Sequence, residues 1–109
     1  MQQIITKNPW CTIYREQSGG ALRLVAKYTD YTDSNIYTMY IVEVAGGRLS
    51  IYTKWNLPER QGERLVYSTY LSEEEEEQWR RRVEGVRTVE EFKRLTWELD
   101  EMLIRMNIY

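Results

Sequence analysis

At 109 residues, with 42% hydrophobic and 13% aromatic content, the chain has the size and composition of one folded domain that buries its core without disulfides or a structural metal. Its 15 Lys and Arg against 17 Asp and Glu leave a net charge of −2, which excludes the dense cationic surface of a general nucleic-acid binder. A single cysteine and no histidine exclude an internal disulfide and histidine-dependent nucleophiles, bases and metal ligands, so no cofactor is expected.

The opening segment, MQQIITKNPW, lacks the basic start and apolar stretch of a signal peptide. No apolar run anywhere approaches the roughly 18 residues that cross a bilayer. The expected location is therefore cytoplasmic, with no membrane partner, and the unpaired Cys11 fits a reducing compartment.

The first 71 residues read as about five strands. CTIYREQ and LRLVAKYT flank Ser18-Gly19-Gly20, and IYTMYIVEV and LSIYTKW flank Gly46-Gly47, so each glycine pair supplies the positive φ of a tight hairpin. The second turn sets Val44 opposite Leu49, Val42 opposite Ile51 and Tyr40 opposite Thr53 as a core face, with Glu43, Ile41 and Met39 opposite Ser50, Tyr52 and Lys54 on the other. In the first hairpin the same logic pairs Glu16 with Arg23 and puts Leu22, Leu24, Ala26 and Tyr28 on the core side. Asp30 and Asp33 lie between the hairpins, where plain Asx turns are expected rather than a cation loop. NLPERQGER then reads as an irregular loop before a fifth strand, LVYSTYL.

After Leu71 the apolar period changes from two to about 3.6. Ser72 with Glu75 and Thr88 with Glu91 form capping boxes, and Gly85 is placed to end the first helix. Trp79, Val83 and Val86 mark the inner side of that helix; Val89, Phe92, Leu95, Leu99, Met102, Leu103 and Met106 form the stripe of the second. Strands followed by helices predict an α+β domain spanning 1–109, with a sheet portion at 1–71 and two C-terminal helices at 72–109 covering one sheet face. Tryptophans in so small a core are expected inside, Trp79 foremost, whereas Trp97 lies off its helix's stripe.

Two surfaces stand out. Residues 72–109 carry 11 acids against 7 bases, headed by SEEEEEQWRRR. Glu76 precedes Arg80 and Glu77 precedes Arg81 by four residues, and acids at the start with arginines at the end suit the helix dipole, so a self-stabilised solvated helix explains most of the run. Glu73, Glu74 and Glu77 would also offer a negative patch to a partner protein with a basic groove. The second surface is the sheet side turned from the core, with Tyr14, Tyr37, Tyr52 and Tyr70, the apolar Met39, Ile41 and Val66, and the cationic Arg23, Lys27 and Lys54. That side is too apolar for ordinary exposure, so the N-terminal segment, the long loop or a homodimer is expected to cover part of it. Tyrosine gives contact area at low entropic cost and points to protein binding. A stacking surface for single-stranded nucleic acid is the alternative, although no aromatic RNP-type motif is present.

A carboxylate pair such as Glu43 and Glu63 leaves a small carboxylate-dependent enzyme as a third reading. The expected function is a non-enzymatic protein-binding inhibitor or adaptor. In its small size, acidity, lack of histidine, exposed tyrosines and glutamate cluster, the chain resembles phage and mobile-element inhibitors of host defence, anti-CRISPR proteins among them; the resemblance is one of composition and assigns no residue.

Overall fold

The computed structural model describes residues 2–7 and 10–105, the side chain of Leu103 excepted. The strands are β1 (Gln2–Lys7), β2 (Cys11–Ser18), β3 (Ala21–Thr29), β4 (Tyr37–Ala45), β5 (Arg48–Leu57) and β6 (Arg60–Tyr70), followed by helices α1 (Glu73–Glu84) and α2 (Val89–Arg105). All six strands form one antiparallel sheet in the order β1-β2-β3-β4-β5-β6, each beside its neighbour in sequence. With the two C-terminal helices the architecture is α+β.

The connections are short. Ser18 pairs with Ala21 across Gly19 and Gly20 at φ 57° and 83°, and Ala45 with Arg48 across Gly46 and Gly47 at 56° and 73°, backbone angles that a side chain would strain. Thr32 N–H donates to Asp30 Oδ1 at 2.7 Å and Asn35 N–H to Asp33 Oδ1 at 2.9 Å, closing two Asx turns between β3 and β4.

Six strands replace the expected five. The N-terminal segment does not fold over the sheet but joins its edge, Gln2 opposite Glu16 and Ile4 opposite Tyr14. Only Ile4 and Ile5 are apolar there, too short a pattern to read as a strand. The stretch NLPERQGER is also not an irregular loop. β5 runs to Leu57 and β6 begins at Arg60, with Pro58 and Glu59 between them, and Gly62 at φ 106° opposite Trp55. Proline suits a turn position because its fixed φ matches the turn and its missing N–H costs no ladder hydrogen bond there.

One sheet face carries Ile13, Leu22, Leu24, Val42, Val44, Leu49 and Ile51 against Val83, Val86, Phe92, Leu95 and Leu99 of the helical layer, all of them buried. Each such side chain contributes about 1.5–3 kcal/mol by leaving water. Tyr40 meets Phe92 edge-on at 6.4 Å. Of the expected α2 stripe, Met106 and the side chain of Leu103 lie outside the described residues. Trp79 is half-buried and packs against the core, with Arg82 over its ring at 4.5 Å, whereas Trp55 is half-buried under Arg60 at 4.2 Å and Trp10, like the off-stripe Trp97, is exposed. Aliphatic residues from adjoining strands already fill the interior, which leaves the large rings at its margins.

The charged run of α1 docks it. Ser72 and Glu75 cap each other reciprocally, each through a backbone N–H to side-chain bond. Glu76 accepts from Gly47 N–H at 3.3 Å, Arg80 donates to Gly20 O at 2.6 Å, and the two pair with one another, so one i,i+4 couple ties the helix to both glycine turns. Arg82 pairs with Glu98 of α2. At the other end Gly85, at φ −80°, caps without a left-handed turn. The helix is closed there by Arg15 of β2, 7% exposed, whose Nη1 donates to the carbonyls of Val83 at 2.8 Å and Val86 at 3.2 Å.

Candidate functional site

Antiparallel register fixes what the other sheet face presents. Ile4, Tyr14, Val25, Ile41, Tyr52 and Leu65 stand opposite one another in one row across all six strands. A neighbouring row holds Lys7, Thr12, Lys27, Met39, Lys54 and Glu63, and on the opposite side of the apolar row lie Gln2, Glu16, Arg23, Glu43 and Ser50. The apolar band is thus flanked by a lysine-bearing band and a mixed one.

Among the described residues no helix covers this face, yet Val25 and Ile41 are only 2% and 3% exposed. The cause is curvature. Arg23 Nη2 reaches Glu63 at 2.9 Å while its Nε meets Glu43 at 3.2 Å. In a flat sheet Arg23 and Glu63 would stand three strands apart, about 14 Å, and offset by roughly 13 Å along the strands, beyond the joint reach of two side chains. The sheet coils until the two meet, and the face becomes concave. The guanidinium lies over the Tyr52 ring at 5.5 Å, and Lys27 Nζ lies 4.4 Å from the centre of Tyr37. Burial, then the carboxylate of Glu16, pushes the Tyr14 hydroxyl above the usual phenol range, partly countered by Arg23.

Tyr14, Tyr37, Tyr52, Lys27 and Lys54 therefore share one surface, all half-buried. Tyr70 lies on the same side but at the rim, exposed and stacked with Arg48 at 4.8 Å. Val66 is a correction. The bulge in β6 sets Ile51 opposite Tyr67 and Tyr52 opposite Leu65, so Val66 turns toward the helical core and Leu65 takes the outward place. Residues 2–7 form the edge strand rather than a flap over the face; the outer end of β6, read as a loop, brings Glu63 over it.

Glu73, Glu74 and Glu77 are exposed on α1, in the layer on the opposite side of the sheet. Glu77 is engaged with Arg81 at 2.5 Å. The acidic patch and the tyrosine face are thus separate surfaces. Sequence reasoning missed three participants: Ile4 and Leu65, the apolar ends of the row at 54% and 50% exposure, and the bridging role of Arg23. The signal for Ile4 was its place in a short apolar pair; a bridge across three strands leaves no trace in a linear sequence.

Among the described residues no group of three His, Cys, Asp or Glu is arranged to hold a metal ion, and no helix is long and apolar enough to cross a membrane. Compared with known proteins, the chain matches no family model, no curated protein and no solved structure.

Proposed function

We propose that this protein acts by binding another protein through its concave, tyrosine-lined sheet face. The observation that carries the reading is the unbroken row from Ile4 to Leu65, exposed at both ends and including Tyr14 and Tyr52, whose hydroxyls supply hydrogen bonds to a partner. Charge favours a protein over a nucleic acid. Arg23 is neutralised by Glu43 and Glu63, Lys54 stands opposite Glu63, and Lys27 lies over Tyr37, so the three lysines of the face, with Lys7 at its β1 end, are interspersed with acids and rings rather than massed to track phosphates. The narrower form of the proposal is a cytoplasmic inhibitor or adaptor of the kind phages and mobile elements direct at host defence, and it rests on composition alone.

The test is capture of partners from a bacterial lysate with photo-crosslinkers at the rim, comparing the wild-type chain with Ile4→Arg and Leu65→Arg. Both sites are half-exposed, so the variants keep the wild-type melt, and the reading expects them to lose the crosslinked partner. Retention of the same partner by both variants contradicts it, and micromolar binding of single-stranded RNA or DNA at low salt would replace it with the nucleic-acid alternative.

A further inference from the structure

The two borders of the sheet are not alike. β1 is six residues long, carries Lys7 and is bulged between Ile4 and Thr6, all devices that blunt an edge against pairing. β6 is eleven residues long, and among the described residues no strand lies beyond it. Its first half is guarded by Arg60, Glu63, Arg64 and the bulge at Val66, but its second half, Tyr67-Ser68-Thr69-Tyr70, has neither charge, proline nor bulge. The direction of its backbone groups follows from one bond. Leu71 N–H donates to Gly47 O at 2.7 Å, toward β5, so by alternation Thr69 also faces β5, while Ser68 and Tyr70 turn their N–H and C=O outward. Arg48 holds this stretch from the concave side, through Ser68 Oγ at 3.1 Å and the Tyr70 ring.

On the helix side, a notch of about 160 Å³ opens beside Tyr67, Thr69 and Tyr70, walled also by Trp79, Met102 and Glu75. A strand laid along β6 directs alternate side chains to this side of the sheet, where one opposite Thr69 meets the notch. Trp79 and Met102 suit an aliphatic group there. Glu75, with the exposed Glu73 and Glu74 beside it in the first turn of α1, places negative charge at that end of the edge.

We propose that the second half of β6 is a strand-addition site: an extended segment of a partner protein pairs with the outward main-chain groups of Ser68 and Tyr70, buries an aliphatic side chain between Trp79 and Met102, and sets a basic side chain against the α1 acids. This surface lies outside the concave face and assigns the acidic run a partner chemistry beyond its role in docking α1.

Random-sequence displayed peptides long enough to span β6 are the probe. Selection on the wild-type chain enriches peptides pairing an aliphatic with a neighbouring Lys or Arg, and on binding, the amide protons of Ser68 and Tyr70 slow in hydrogen exchange. Ser68→Pro and Tyr70→Pro each remove one outward donor and leave the β5 ladder intact, since proline is tolerated where an edge N–H faces solvent. Either weakens the selected peptides about tenfold or more, as expected for lost main-chain bonds. Met102→Trp, which fills the notch, does the same with the edge untouched, and Ile4→Arg has no effect, so this site is read apart from the concave face. Failure to enrich any peptide, or unchanged affinity in folded Ser68→Pro or Tyr70→Pro chains, overturns the proposal. A concentration-dependent wild-type dimer that Ser68→Pro dissolves would overturn it too, giving the edge to a second copy.

Discussion

On the helix-facing side of the sheet, Leu24, Val42 and Ile51 are sealed by Val83, Phe92 and Leu99, whereas on the opposite side Val25 and Ile41 are sealed by their own neighbours on the sheet, Tyr14 and Tyr52, under the Arg23–Glu63 bridge. The first burial is made by a second layer of structure. The second is made by coiling, which brings half-polar side chains over an apolar floor and leaves their outer parts in water. Alternating apolar residues on both faces therefore do not require two covering layers, and the face closed by coiling keeps tyrosine edges and hydroxyls available for contact.

The comparison breaks most sharply on introducing charge. Val42→Asp and Ile51→Asp place an unpaired carboxylate under the helices, at a cost of several kcal/mol against a total stability of about 5–15 kcal/mol, and circular dichroism should show an unfolded chain. Tyr52→Asp, on the concave side, should remain folded, with its carboxylate beside Arg23 and water within reach. Equal loss of structure in all three would mean that the concave face is as closed as the core.

A smaller effect is expected from Arg15, which joins the sheet to the covering layer. Arg15→Met keeps the stem but leaves the carbonyls of Val83 and Val86 without their donor, and should lower the urea-derived stability by about 1–3 kcal/mol. Arg23→Met, removing a mostly buried ion-pair bridge, should cost about 1 kcal/mol yet raise the chemical reactivity of Tyr52 and Tyr14 toward iodination. An unchanged tyrosine reactivity would show that Arg23 does not hold the face closed.

The slightest effect concerns pH. The folded chain holds the Tyr14 proton more tightly than the unfolded chain does, so its contribution is fully present below the ordinary phenol pKa and is lost as pH rises from there through the higher folded value. Urea midpoints should fall more steeply in the wild type than in Tyr14→Phe above about pH 10, where free phenols ionise. Parallel curves would place Tyr14 in open water.

The α+β class, the order of strands before helices and both helix starts were legible in the sequence, because Ser72 with Glu75 and Thr88 with Glu91 act within one helical turn. β1 was not, since Gln2 and Gln3 pair as edge residues without any apolar alternation to announce them. Pro58 and Gly62 signal a break in composition, but a tight turn between two long strands has the same composition. The tyrosine face was legible as a set of residues and illegible as a shape. Its concavity shows only in the coiled sheet, where Arg23 meets Glu63 forty residues away, and the displacement of Val66 depends on a bulge. Trp79 packs against the core as its place on the helix suggested, while Trp10 and Trp55 misled because ring size suggests burial and the interior was already filled by aliphatic residues of β2 to β5.

Hydroxyl-radical footprinting of the chain alone and in complex with its captured partner tests the central claim most directly, because it reads both candidate surfaces in one experiment. The account predicts protection of Tyr14, Tyr37 and Tyr52 together with Ile4 and Leu65, and unchanged oxidation of the exposed Trp97 on α2. Protection confined to the helical layer, with the five residues of the concave face oxidised as in the free chain, would contradict it.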